Sequence, residues 1–268
     1  MASQTNSKID LDALVVQVEG QGDQIDSGSY GVVFEVTVNG RKCVAKKLHD
    51  MLLEAGDYCL NFLEECRILS SLNHPNVVGF VGVQYGYSKN DISLMMERLN
   101  SNLANFIEKN PGTSTSDRIH ILHDVSKGLH YLHSLTPPLI HCDLCPSSIL
   151  LTEDGLTAKI GSFSVAKYAD PLISTLSDTP GSLLYMPPEC QAEHLDYNTK
   201  LDIFSFGVLI LYTFIDDRPG INAIPPPTKE EMSEGKVELM RRNSAIHKMG
   251  ENHSLHPLVM RCLNDHPE

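Results

Sequence analysis

The sequence predicts an α+β chain of two lobes, a small β-rich lobe followed by a larger helical one. Three observations carry this expectation. Residues 31–45 alternate in valine-rich fashion around an Asn39-Gly40 pair. Apolar residues then recur at helical spacing through Ile119, Leu122, Val125, Leu129 and Leu132. Finally, residues 203–214 are apolar on nearly every side, which places a helix in the centre of its lobe.

Taken in order, Val32, Phe34, Val36 and Val38 share one strand face, and Asn-Gly readily adopts the positive φ angles of a type I′ turn, so a β-hairpin is expected. Phe62, Cys66, Leu69 and Leu72 then mark a helix over residues 62–72 that stops before Pro75. Residues 77–83 and 92–96 read as two further strands. Beyond an extended joint near residues 96–100, Ser116 is the expected N-cap of the helix that carries Ile119, with Asp117 in its first turn. The rest is mostly helical, with proline turns at Pro187-Pro188 and residues 225–227. Domain organisation follows: an N-terminal extension over residues 1–18, then one domain over 19–268. Within it the N-lobe covers about 19–97, the joint 97–101 and the C-lobe 102–268.

Composition narrows the function. Lysine and arginine number 21 against 34 acidic residues, a formal charge of −13, which argues against a nucleic-acid backbone binder or a surface for anionic membrane. The polar residues 1–10 lack a charged-then-apolar leader, and residues 203–215 are too short to cross a bilayer, which takes about 20 residues. A cytoplasmic protein without membrane insertion is expected. Seven cysteines, an odd number, suit reduced thiols better than a disulfide framework.

Several motifs carry phosphate-handling chemistry. Ile25-Asp26-Ser27-Gly28-Ser29-Tyr30-Gly31-Val32-Val33 is a glycine-containing turn between strands, which lets backbone amides approach a polyphosphate. Val44-Ala45-Lys46-Lys47 places a lysine at a strand end, and Glu65 lies on the following helix where it could hold that lysine. Each alone is weak. They are followed, however, by His141-Cys142-Asp143-Leu144-Cys145-Pro146-Ser147-Ser148-Ile149-Leu150, by Lys159-Ile160-Gly161-Ser162-Phe163-Ser164, by a segment ending in Pro187-Pro188-Glu189, and by Asp202 to Gly207. In order and spacing this series resembles the protein kinase family across nearly the whole chain.

That resemblance implies a bilobal kinase fold with ATP in the cleft. Lys47 matches the lysine on the α- and β-phosphates, Glu65 its helix partner, and Asp143 the catalytic-loop base. Ile25, Gly28 and Gly31 match the glycine-rich turn. Met96 matches the gatekeeper, and Glu97 and Leu99 the backbone that meets adenine. Val33, Ala45 and Leu150 would sandwich the purine. Leu69, Phe163 and His141 match an internal hydrophobic stack, with Asp202 fastening its base. Gly181 to Tyr185 looks like serine/threonine or tyrosine-kinase-like members, and Ser174, Thr175, Ser177 and Thr179 fall in the activation segment. The arginine that usually partners the glutamate matched by Glu189 would follow Glu268, so the final helix of the family is expected to be missing.

The departures are chemical. Ser162-Phe163-Ser164 stands where the family has Asp-Phe-Gly, and Ser148 where it has a metal-binding asparagine. Mg²⁺ favours charged oxygen ligands, so both metal positions are weakened together and none of the expected metal ligands remains. Asp26 adds a negative side chain at the first glycine position, Cys145 replaces the catalytic-loop lysine, and Cys142 replaces the arginine before Asp143. Because phosphoryl transfer depends on positioning and charge stabilisation, these changes remove its main catalytic contribution. The expectation is a pseudokinase-like domain that binds ATP weakly and Mg²⁺ poorly and acts with protein partners in signalling. The alternative is a weakly active serine/threonine kinase. Cys142 and Cys145 also have the spacing of a zinc or redox pair, but no second pair completes a zinc site. His120, His123, His130 and His133 read as surface and packing residues rather than ligands.

Overall fold

The computed structural model describes residues 10–28, 31–53, 56–86, 91–169, 185, 187, 198–215 and 246–263. The chain divides into two compact units, Met1–Leu99 and Asn100–Glu268. Most of the segment from Ser174 to Glu189, including Ser174, Thr175, Ser177, Thr179 and Glu189, lies outside the described residues, as do residues 225–227 and the tip of the glycine turn at Ser29 and Tyr30.

The first unit is a five-stranded antiparallel sheet with one long helix. Its strands are β1 (Val18–Ser27), β2 (Gly31–Val38), β3 (Arg41–Leu48), β4 (Phe80–Tyr85) and β5 (Ile92–Glu97), in spatial order β1-β2-β3-β5-β4. The expected hairpin forms β2 and β3. Asn39 and Gly40 take φ values of 49° and 70°, and the Glu19 carboxylate accepts a hydrogen bond from the Gly40 N–H at 3.1 Å. Both positive φ angles match the right-handed twist of the strands on either side. Val36, Val38, Cys43, Ala45 and Met95 form a buried cluster on one face, joined by Val16, Val18 and Val81. The polar sequence of β1 gives no period-2 signal because nine of its ten residues are exposed, and pairing with β2 alone makes it a strand. Part of the N-terminal extension is also fixed: a 3₁₀ turn at Leu11–Leu14 precedes Val16, whose N–H donates to the Val83 carbonyl at 2.9 Å.

Helix α1 (Gly56–Ser71) begins six residues before the expected start. Its first turns present exposed Asp57, Tyr58, Leu60 and Asn61, so only Cys59 continues the apolar stripe upstream of Phe62. The strand expected over residues 77–83 starts at Phe80, and Val77 and Val78 are buried in the connection that precedes it.

The second unit contains β6 (Ser101–Asn102), α2 (Leu103–Lys109), α3 (Thr115–His133), β7 (Leu139–Ile140), β8 (Ile149–Leu151), β9 (Ala158–Ile160), β10 (Lys167–Tyr168), α4 (Lys200–Phe214) and α5 (His256–Cys262). The short strands pair as β10-β7 and β6-β8-β9. The N-cap of α3 is Ser114 rather than Ser116. Its Oγ accepts from the Asp117 N–H at 3.1 Å while donating to Asp117 Oδ2 at 2.8 Å, an exchange that Ser116, two residues further in and next to Asp117, could not make. Helix α4 is buried along most of its circumference, as expected, although Ile203 reaches solvent. The buried Arg118 guanidinium donates to the carbonyls of Thr113, Pro111 and Thr213 and so ties the start of α3 to the end of α4. No helix among the described residues is long and apolar enough to cross a membrane.

Gly31 is required by close approach. A Cβ at this position would fall 2.0 Å from the Lys47 carbonyl oxygen, which is backbone and cannot swing aside. Gly31→Ala is therefore expected to destabilise the protein by about 2 kcal/mol or more, in the range of strained backbone substitutions. Gly28→Ala, where an added Cβ meets nothing within 4 Å, should cost less. Urea melts of the two variants test the difference, and equal midpoints would contradict it.

Candidate functional site

In the first unit the side chains are sorted by strand register. Val33 lies opposite Lys46, Glu35 opposite Val44, and Val44 opposite Met96, so Val33, Val44, Lys46 and Met96 project from one face of the sheet. Ala45 and Lys47 project from the other. The tetrapeptide Val44-Ala45-Lys46-Lys47 admits two registers, and the structure corrects the one expected. The partner of Glu65 is Lys46, not Lys47, and Ala45 is packed in the valine cluster behind the sheet, so Val44 takes its place on the Lys46 face. Sequence alone had no means of choosing between adjacent lysines. The pairing with α1 decides it.

Lys46 Nζ donates to both carboxylate oxygens of Glu65 at 2.7 Å and lies 5.8 Å from the centre of the Phe62 ring. Glu65 is 2% exposed and Lys46 18%, so this pair has little competition from water. The neighbouring Cys66 thiol is pushed by burial up to about 12, which leaves it an apolar filler. Met96 precedes Glu97, whose carboxylate accepts from the Gly79 N–H at 2.6 Å while its own N–H donates to the Gly79 carbonyl at 2.9 Å. Leu99 ends this unit. On the opposite edge, Ile25 is exposed near the end of β1, and Gly28 opens the turn with its N–H on the Gly31 carbonyl at 2.9 Å.

In the second unit the loop between β7 and β8 is organised around Asp202 on α4. The Asp202 carboxylate, fully buried, accepts from the backbone N–H of His141 at 2.8 Å and of Cys142 at 3.0 Å. His133 Nε2 lies 2.8 Å from the same group, so this histidine packs as expected and also orients the acid. Cys142 is held at φ 64°, in the left-handed region where a side chain is strained. His141 Nδ1 accepts from the Asp143 N–H at 3.3 Å, which leaves Nε2 as the donor to the Gly161 carbonyl at 2.8 Å. The Phe163 ring meets His141 edge-on at 5.2 Å, and Phe163 is almost wholly buried. Leu69, the third residue of the expected stack, is buried on α1 in the first unit.

The metal-matching positions sit in the same loop system. Ser148 is buried, and its hydroxyl accepts from the Cys145 N–H at 3.0 Å and donates to the Cys145 carbonyl at 2.9 Å. It is turned into its own loop. Ser162 is exposed at φ 64° and follows Gly161, whose N–H donates to the Ser148 carbonyl at 2.8 Å. Neither position offers a carboxylate. Asp143 is half-buried, Cys145 Sγ contacts Ser147 Oγ at 3.1 Å, and Leu150 lies on β8 opposite Asn102 and Lys159. Among the described residues no group of three or more histidine, cysteine, aspartate or glutamate side chains is placed to hold a metal ion.

Comparison with known proteins agrees with this arrangement. The model of the protein kinase domain family matches residues 20–268. The chain is 30% identical over 88% of its length to LysM domain receptor-like kinase 3 of Medicago truncatula, covering 36% of that protein. It is 30% identical over 78% of its length to serine/threonine-protein kinase TNNI3K of Mus musculus, covering 25% of it, and 28% identical over 92% to serine/threonine-protein kinase 12 of Arabidopsis thaliana, covering 52%. It thus spans about half or less of the length of these relatives. With a sheet-and-helix first unit, a loop fastened by Asp202 in the second and a family match over nearly every residue, the chain belongs to the protein kinase family.

Proposed function

We propose that this chain is a pseudokinase-like member of its family, a domain that binds an adenine nucleotide weakly and serves as a binding module for protein partners in signalling. The observation that carries the reading is the state of Ser148. Its hydroxyl is buried and doubly bonded to Cys145, where the family has a metal-binding asparagine. Ser162 supplies only a neutral hydroxyl at the other metal position. Mg²⁺ is small, strongly hydrated and held through carboxylate and phosphate oxygens, so the donor set does not fit it. Cys142 and Cys145 further remove two cations from the loop that would face a transferring phosphoryl group.

Nucleotide recognition falls to groups that need no metal. Lys46, oriented by Glu65, is the cation for a phosphate, Val33 and Val44 are apolar surface for a purine, and the backbone at Glu97 and Leu99 supplies hydrogen bonds. Asp143 and the Lys46–Glu65 pair favour the second reading, a slow serine/threonine kinase, because both are the groups that transfer itself would use. The relatives named serine/threonine-protein kinases support the hydroxyl as the acceptor class in that case.

Stabilisation by ATP is expected to be small and nearly the same in Mg²⁺ and in EDTA. A thermal-shift titration reads this directly, and a large Mg²⁺-dependent shift would sink the metal-free reading. Lys46→Met should abolish the nucleotide shift and lower stability by about 3–5 kcal/mol, because it leaves Glu65 buried without its partner. Lys47→Met should retain the nucleotide shift and cost well under half as much. Labelled γ-phosphate transfer should be undetectable in the unaltered chain and should emerge only in the combined variant Ser162→Asp, Ser148→Asn, Cys145→Lys, since these groups act as a unit. A recovery of about a thousandfold would correspond to about 4 kcal/mol of barrier. Robust turnover by the unaltered chain would establish the kinase reading instead.

A further inference from the structure

The described entry to the turn after β1, residues 26–28, is built in a way that disfavours a phosphate. Asp26 lies opposite Val33, and Val33 lies opposite Lys46, so the three residues form one row across β1, β2 and β3 with their side chains on the same face. Neighbouring strands are about 4.8 Å apart, which puts the Asp26 backbone about 10 Å from that of Lys46. The carboxylate is folded back on the turn. Asp26 Oδ1 accepts from the Ser27 N–H at 2.8 Å, so an amide at the mouth of the turn already has an anion. The next amide, that of Gly28, is spent on the Gly31 carbonyl at 2.9 Å, and the Gly28 carbonyl is itself met by His49 Nε2 at 2.9 Å.

The other cations on this face are committed as well. Lys42 and Arg98 both pair with Glu35, farther along β2, whose carboxyl the Lys42 hydrogen bond first, and the two cations together, hold below the usual range despite some desolvation. A glycine turn binds a polyphosphate through unspent amides and the absence of negative side chains. Here the described amides of the turn are internally satisfied and a carboxylate stands in the row that leads to Lys46.

We infer that the nucleotide face of the first unit selects a nucleoside over its triphosphate, with Asp26 as the specificity-determining residue. The inference rests on the reading that this face takes an adenine nucleotide at all, and it narrows the ligand class. A neutral ribose offers hydroxyl donors to a carboxylate, whereas a triphosphate brings like charge against it.

Isothermal calorimetry of the full chain with adenosine and with ATP, both in EDTA, tests it. In the unaltered chain adenosine is expected to bind at least as tightly as ATP. Asp26→Gly and Asp26→Asn should each shift the ratio of affinities toward ATP by about tenfold, the size expected from removing one like charge at partly screened range. ATP binding ten times tighter than adenosine in the unaltered chain would overturn the inference and leave the nucleotide reading standing. So would a ratio unchanged by either variant, and a shift given by Asp26→Gly alone would remove the charge as its cause. If neither ligand binds, the nucleotide reading and the inference fall together.

Discussion

A buried carboxylate must be neutralised or fully hydrogen-bonded, and in the second unit the arrangement of the whole β7–β8 loop follows from how Asp202 meets that requirement. Its oxygens are met by two consecutive backbone amides, those of His141 and Cys142, and by the ring of His133. Directly after the second of these amides, Cys142 takes φ 64°. The strain of such a residue is of order 1–3 kcal/mol and persists because the surrounding bonds over-determine it. From there the connections run on without a break. His141 is fixed by the Asp143 amide, reaches the Gly161 carbonyl and supports the edge of Phe163, while Gly161 returns a bond to Ser148 and Ser148 closes on Cys145.

The first unit solves the same problem differently. Glu65 is as deeply buried as Asp202 in practical terms, but among the described residues no backbone amide of a neighbouring loop is bonded to it; its compensation is a full charge on Lys46. An ion pair of this kind is weak as a source of net stability and strong as a constraint, because losing either member leaves the other stranded. It therefore sets the register relation between β3 and α1. With Lys46 toward α1, Val44 must share its face, and Ala45 must join Val36, Val38, Cys43 and Met95 behind the sheet.

Much of this was legible in the sequence where periodicity is strong or residue chemistry is singular. The β2–β3 hairpin follows from Asn39-Gly40, the burial of α4 from its nearly continuous apolar run, and the family from the order of motifs between His141 and Gly207. What was not legible shares one cause: local sequence does not say which neighbour will compete. Two adjacent lysines look alike until α1 is in place. Ser114 and Ser116 are equally good caps until the Asp117 amide chooses between them. β1 carries no alternation because its face is solvent, and only the edge of β2 makes it a strand.

The frame of the β7–β8 loop is made by a few side chains that bond to backbone groups. Asp202 grips the amides of residues 141 and 142, and an amide is supplied by cysteine as well as by any other residue. The turn at Gly161 rests on the Ser148 carbonyl and the His141 ring, and neither bond depends on what side chain stands at 162. Ser148 closes its own loop through a hydroxyl bonded to both the N–H and the carbonyl of Cys145. The positions that depart from the family pattern, 142, 145, 148 and 162, are thus positions whose family side chains the fold does not need. A chain could exchange every one of those side chains and still hold His141, Asp143 and Phe163 in this geometry, because the forces that place them pass through Asp202.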